Sequence, residues 1–514
     1  MNGLVDEARS LLATLEPRVT PDVAERLRQA RRRLDEPLRV AVAGRVKAGK
    51  STLLNAVIGE AAAATDATEC TRAVTWYADG TAYRAWVVGR DGGRRQVPYR
   101  RSSTAAVVDL DGVDLTAVER VDVQFPSQHL RVMTLIDTPG IASVSEQVSA
   151  RAVEFLNPDH GDQGADVVVY LVRQVHERDA DFLEAFTDPA VASVGAVRSI
   201  AVLSRADEVG NGRGDALEIA RRIAERYASL PVLAGRVAGV LPVAGLLAFT
   251  AATLTEAEHR NLRQLIRLSQ VELARLLVSV DGFLAESDQV PLPVATRRAL
   301  LDRFGLFGIR LATSLIQSGT GGSAETLAAT LELLSGIQPL RRTLLDRFAG
   351  RADILKAARA VDLVHAVVAQ GAVADDRAIR RDLERVAASS HELTELRCLS
   401  SAHGLTDDET SLDGATRRNA LAALGSDGDE PWQRLRVAPD AAVDELVATA
   451  LDRVDEFRLA VSGPFVDERS AEILRVALRS VEAVHFWLVT DPGSSTPVTE
   501  GEQGGPVGQG GPAQ

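Results

Sequence analysis

Lysine is nearly missing from this 514-residue chain: of 58 basic residues only Lys47, Lys50 and Lys356 are lysine, and the other 55 are arginine. Arginine serves wherever a solvated positive charge is enough, so a lysine that survives such replacement marks a place that needs a thin stem and a compact charge. Two of the three stand three residues apart. Cysteine is almost as scarce, and Cys70 and Cys398 cannot build a disulfide framework or a zinc site, which fits a reducing compartment. Long apolar runs are lacking as well. Residues 1–15 carry Asp6, Glu7 and Arg9 and hold no signal-peptide core. The uncharged stretch 237–255 is broken by Pro242 and two glycines, so it reads as a strand, a loop and a helix start rather than a span. A basic excess is absent too: the net charge of −13 opposes a nucleic-acid partner, whose phosphates need a basic footprint.

What is present is a globular composition, 46% hydrophobic and 25% charged, on a chain too long for one core. Residues 1–36 show helical apolar spacing broken by Pro17 and Pro21 and ended by Pro37. From 37 to 252 the texture is short aliphatic runs, at 38–43, 132–136, 167–172, 199–203 and 240–243, alternating with helical stretches such as 50–58, 179–186 and 215–227. That alternation predicts an α/β domain with a doubly wound, mostly parallel sheet. Hairpins are expected around 78–80 and 91–93. From 253 to 490 the strands vanish and helical periodicity predicts an elongated all-α bundle. The last 24 residues, 491–514, hold eleven glycines and prolines, the composition of a disordered tail.

The stretch Gly44-Arg-Val-Lys-Ala-Gly49-Lys50-Ser51 fits G-x-x-x-x-G-K-[ST] between a predicted strand and a predicted helix. Its amides, from Gly44 through Val46, Lys47, Ala48 and Gly49 to Thr52, would cradle phosphates, with Lys50 reaching the β and γ oxygens and the Ser51 hydroxyl ligating Mg²⁺. Asp137-Thr-Pro-Gly140 closes a second strand; Asp137 would stand on the water shell of the Mg²⁺ and the Gly140 amide on the γ-phosphate. Ser204-Arg205-Ala206-Asp207 closes a third. There the Asp207 carboxylate would accept from N1–H and N2–H₂ of guanine, a match adenine cannot make, while the Arg205 stem packs along the base. The loop 241–245 would cover the base through its backbone at Ala244. Within 65–75, Thr71, or else Thr68, would complete the Mg²⁺ shell.

A GTPase core with about 85 residues between P-loop and Asp137, a helical leader and a helical C-terminal half resembles the bacterial dynamin-like proteins. The segments 46–55, 65–71, 204–208 and 303–310 look like the mycobacterial isoniazid-inducible dynamin-like family. The resemblance implies Mg²⁺-dependent hydrolysis of GTP to GDP, self-association through GTPase domains or with a paralogous partner, and remodelling of anionic membranes from the cytoplasmic face in envelope stress. Eukaryotic dynamins carry Gln and Ser where Val46 and Lys47 stand here, whereas Lys47 falls where guanylate-binding and atlastin-type relatives carry a finger arginine. It is therefore expected to neutralise charge between the β and γ phosphates. The alternative is a regulatory GTPase with a protein-binding helical half. The expected membrane tip is 304–324, with Phe304, Phe307, Leu311, Leu315 and Ile316 inserting, because residues 296–360 carry ten basic against five acidic side chains.

Overall fold

The computed structural model describes residues 3–63, 73–101, 106–138, 164–176, 183, 197–230, 232–373, 376–403 and 409–490. Its strands are β1 (Leu38–Gly44), β2 (Thr75–Asp79), β3 (Arg84–Gly89), β4 (Arg94–Val97), β5 (Tyr99–Arg101), β6 (Ala106–Val108), β7 (Val118–Phe125), β8 (Met133–Asp137), β9 (Val167–Val172), β10 (Ser199–Ser204) and β11 (Val240–Val243). Nine of them form one sheet in the order β11-β10-β9-β1-β8-β2-β7-β3-β4, and β5 pairs with β6 apart from it.

The half from β11 to β8 is parallel throughout. The strands β1, β9 and β10 are buried at every position, which is why they read as unbroken aliphatic runs: helices cover both faces of a parallel sheet. In the other half β2 runs antiparallel to β8, and β3 and β4 form the expected antiparallel hairpin around residues 91–93. The turn at 78–80 does not make a hairpin. Strand β7 lies between β2 and β3, parallel to the first and antiparallel to the second, because the alternating apolar positions of Val118–Phe125 bury one face at the centre of this half. The helical stretch expected at 179–186 falls outside the described residues except for Leu183.

After β11 the described chain is helical, beginning with Gly245–Ala252 and Glu256–Leu265 and ending in the paired helices Val443–Val461 and Glu468–Thr490. The segment expected to meet a membrane is core instead. Up to residue 316 it lies in Val294–Gln317, two helical parts broken at Gly305, in which Phe304, Phe307, Ile309 and Ile316 are buried and Leu311 and Leu315 partly so, before an exposed turn. This helix packs against Leu203, Ala206 and Leu247 of the α/β layer. Its arginines are occupied as well. Arg297 donates to the carbonyls of Phe283, Ala285 and Leu292, Arg303 pairs with Glu258 at 2.8 Å, and Arg310 donates to the carbonyls of Leu277 and Gly212, each at 2.8 Å. Short helices end in carbonyls with no intrahelical donor, and these side chains supply one, so the local positive excess is not a free lipid-facing patch.

At the amino ends of β1, β9 and β10, opposite the P-loop, Asp166 gathers four arginines from distant parts of the chain. Its carboxylate accepts from Arg33, from the Arg39 amide at 2.9 Å and from Arg359 at 3.3 Å, while its carbonyl accepts from Arg198 at 2.9 Å. Arg33 ends the leader helix Pro21–Arg33 and Arg359 lies on the helix Ala352–Ala369. The third lysine joins the same junction rather than a solvated face. Lys356 is buried, and its Nζ donates to the carbonyls of Leu34 at 2.8 Å and Glu36 at 2.9 Å. Those groups lie just past the end of the leader helix, where orphan carbonyls and the negative end of the helix dipole favour a cation. A compact ammonium reaches two neighbouring carbonyls at once.

Candidate functional site

The loop 44–51 leaves β1 where its two neighbours diverge, β8 on one side and β9 on the other. In open α/β sheets that divergence opens the crevice at the carboxyl ends of the strands. Gly44 sits at φ +147°, and a Cβ there would lie 2.8 Å from the Leu171 carbonyl oxygen, so only glycine lets the loop pass β9. Gly49, at φ +94°, caps the amino end of the helix Lys50–Ile58. Arg45, Val46 and Lys47 are exposed, and Lys47 takes a left-handed backbone with φ 63°.

Lys50 folds back over the loop, its Nζ donating to the carbonyls of Gly44 at 3.2 Å and Arg45 at 3.3 Å. Burial lowers its pKa, with Asp137 opposing; burial likewise raises that of Asp137, against Lys50 and a hydrogen bond from Ser51. Ser51 Oγ donates to the Asp137 carboxylate at 2.8 Å. Both charged forms are thus held at a cost that phosphates beside Lys50 and a divalent cation beside Asp137 would remove. The adjacent hydroxyl and carboxylate are hard oxygen donors that fit Mg²⁺, an ion usually held by one or two protein oxygens, phosphate and water. Among the described residues no group of three or more His, Cys, Asp or Glu side chains could hold a metal. Thr71, Thr68 and Gly140 lie outside the described residues.

Beyond the P-loop, a cavity of about 150 Å³ is lined by Thr52, Leu53, Asp207, Val243, Gly245 and Leu246 among others. Asp207 is buried, and burial, together with Glu208, raises its pKa while its own amide and Arg205 oppose. A carboxylate destabilised in this way gains from two N–H donors of a bound base. Ser204 is spent locally, its Oγ donating to the Val172 carbonyl at 3.2 Å. Arg205 also has contacts within the protein. Its guanidinium donates to the Lys47 carbonyl at 3.1 Å and to Glu208 at 2.7 Å, tying the base motif to the P-loop. Glu208 also accepts from Arg173 at 2.9 Å. Nothing in the spacing of 204–208 foretells Arg173, which arrives from the end of β9.

Ala244 does not play the expected part. Its amide donates to the Ser335 carbonyl at 2.8 Å, away from the cavity, because Gly336, at φ +79°, brings that segment against β11: a Cβ on Gly336 would lie 2.2 Å from the Pro242 carbonyl oxygen. Val243, Gly245 and Leu246 line the cavity from this side.

Residues 39–195 match the family described as 50S ribosome-binding GTPase. The isoniazid-induced protein IniC of Mycobacterium tuberculosis is 36% identical over 456 residues, 88% of this chain and 90% of that protein. The isoniazid-induced protein IniA of the same organism is 29% identical over 181 residues, 30% of this chain and 27% of that protein. A solved structure described as an oligomerised bacterial dynamin pair aligns over 96% of this chain and 74% of its own at 13% identity, with a TM-score of 0.30. A GTPase-family match over 39–195 and a relative that matches nearly end to end place the chain in one group: it belongs to the family of the mycobacterial isoniazid-induced protein IniC.

Proposed function

We propose that the protein binds GTP with Mg²⁺ at this site, hydrolyses it to GDP and phosphate, and couples the nucleotide state to self-association and to membrane remodelling from the cytoplasmic face. The observation that supports it is the convergence of Lys50, Ser51 and Asp137 beside the loop with a buried Asp207 in the adjoining cavity. Lys50 and the loop amides bind the β and γ phosphates, Ser51, Asp137 and Thr71 would hold the Mg²⁺, and Asp207 selects guanine. The metal, when bound, offsets the negative charge that gathers on the phosphate oxygens. Val46 has no group to orient water. Lys47 is exposed at the crest of the loop, where the face of a second GTPase domain would meet the nucleotide, and a left-handed backbone there sets the direction of its side chain. Replacing Lys47 by Ala should lower kcat about 10²-fold while leaving GTP affinity unchanged in a binding titration; an unaltered kcat removes Lys47 from the chemistry.

Among the described residues no helix is long and apolar enough to cross a membrane, so contact would be made from the surface. With 304–316 buried, the apolar contact would be made at the hairpin of the helices Val443–Val461 and Glu468–Thr490, where Phe465 in the turn is 91% exposed and Leu459 in the last turn of the first helix 79%. Apolar side chains left in water at a hairpin turn suit shallow insertion. The charges around them favour a second reading: Asp455, Glu456, Asp467 and Glu468 outnumber Arg458 and Arg469, which suits a protein surface, as in a regulatory GTPase with a scaffolding helical half, better than an anionic leaflet. Co-sedimentation with vesicles containing anionic lipid separates the two. Membrane action predicts pelleting that rises with a GTP analogue and falls about fivefold or more in Phe465→Asp. A chain that stays in the supernatant with ordinary turnover is the regulatory protein.

A further inference from the structure

We propose that the segment from Glu332 to Arg341, in the helical half, positions the nucleotide site from behind and links nucleotide state to the helices that follow, with Arg341 as the positioning residue for the phosphate-binding helix. This rests on the guanine-nucleotide reading of the site. The helix Lys50–Ile58 presents Lys50 and Ser51 at its amino end and terminates at Gly59, whose amide bonds back to Asn55. The next carbonyls are taken by a residue 284 positions away: Arg341 donates through Nε to Val57 at 3.2 Å and through Nη2 to Ala56 at 2.6 Å. The same guanidinium is held from the other side by Glu332. A planar fork bridging a helix end and a carboxylate fixes the tilt of that helix more firmly than packing alone, and a cation at the negative end of the helix complements its dipole.

The segment between the two partners grips the base loop as well. Ser335 accepts from the Ala244 amide, and Gly336 passes Pro242 at a distance no other residue allows. Ile337 and Leu340 are fully buried in the core shared with Leu54 and Val57. One short stretch therefore touches the far end of the phosphate-binding helix and the loop after β11. Directly after Arg342 the chain becomes a π-helix, Thr343–Ala349, and then the helix Ala352–Ala369, which carries Lys356 and Arg359 to the leader and to Asp166. A π turn is a break in regular hydrogen bonding and a place where a helix can change register. A shift of the phosphate-binding helix would thus be passed through Arg341 to the π turn and on to the junction at Asp166.

Hydrogen exchange on the full chain, without nucleotide and saturated with GDP or a non-hydrolysable GTP analogue, tests this. The wild type should show exchange in 343–369 that differs about fivefold or more between the two nucleotides. In Arg341→Ala, saturated with each nucleotide in turn, that difference should vanish. Arg341→Lys, which keeps the charge but not the fork, should recover part of it. Glu332→Gln leaves both carbonyl bonds in place and should diminish the difference without unfolding, which keeps the test open if Arg341→Ala does not fold. Exchange in 343–369 that ignores nucleotide in a wild type that binds it, or a full difference in a folded Arg341 or Glu332 variant, overturns the proposal. A wild type that binds no guanine nucleotide overturns the reading of the site itself, and this proposal with it.

Discussion

Asp207→Asn should weaken GTP binding by about 10³-fold and transfer the preference to xanthosine triphosphate. The carboxylate stands in a cavity of about 150 Å³, where its charged form is already disfavoured by burial and by Glu208. Guanine presents two N–H donors that such a group accepts. The amide of Asn presents a donor of its own toward one of them, and a buried donor facing a donor costs about as much as an unmade charged hydrogen bond. Xanthine has a carbonyl in place of the exocyclic amine, so the same amide then finds an acceptor. A titration of both nucleotides against both proteins measures the crossover, and equal losses for the two bases would remove Asp207 from base recognition.

Asp166→Ala should have the largest effect on stability, about 3–5 kcal/mol, because it removes the carboxylate at the centre of a mostly buried ionic cluster. Arg33 and Arg359 would lose the carboxylate they share, while Arg198 keeps its bond to the main-chain carbonyl and Arg33 its pair with Glu36. A fall in the urea midpoint measures the loss. Nucleotide affinity should stay near that of the wild type, because Asp166 lies at the opposite end of the sheet from the P-loop. The pH dependence follows from the same cluster. Burial alone would raise the Asp166 pKa, but Arg33, Arg359 and the Arg39 amide hold it far below the ordinary carboxylate value. A group whose folded pKa lies below its unfolded one stabilises fully above the unfolded value, about 3.9, and its contribution fades as the pH falls below that toward the folded value. The Asp166 contribution is therefore constant at neutral pH and lost only in acid. A variant as stable as the wild type at pH 7 would show that the arginines find other partners.

Much of the α/β layer was readable beforehand, because a parallel strand covered on both faces has nearly one solution in sequence, an aliphatic run such as 167–172, and because a P-loop must join a strand to a helix. No hairpin forms at 78–80 for a corresponding reason. Turn chemistry says where a chain reverses, not which strand lies beside it, and the insertion of β7 between β2 and β3 is a long-range choice. The stretch 304–316 is ambiguous in sequence because apolar residues flanked by arginine look the same whether they face lipid or core. Only the carbonyls that Arg297, Arg303 and Arg310 satisfy tell the two apart.

The near absence of lysine pointed to Lys50 and Lys47, whose places are set by local spacing within one loop, and it left Lys356 without a role. Local spacing suffices where the partners of a residue lie a few positions away, as in the P-loop. The tertiary structure alone decided the rest. Lys356 meets carbonyls more than 300 residues distant, Arg341 meets a helix end 284 residues away, and Asp166 gathers arginines from four separate elements. Bonds of that length leave no periodicity in the sequence, since their geometry exists only after the helices have packed against the sheet.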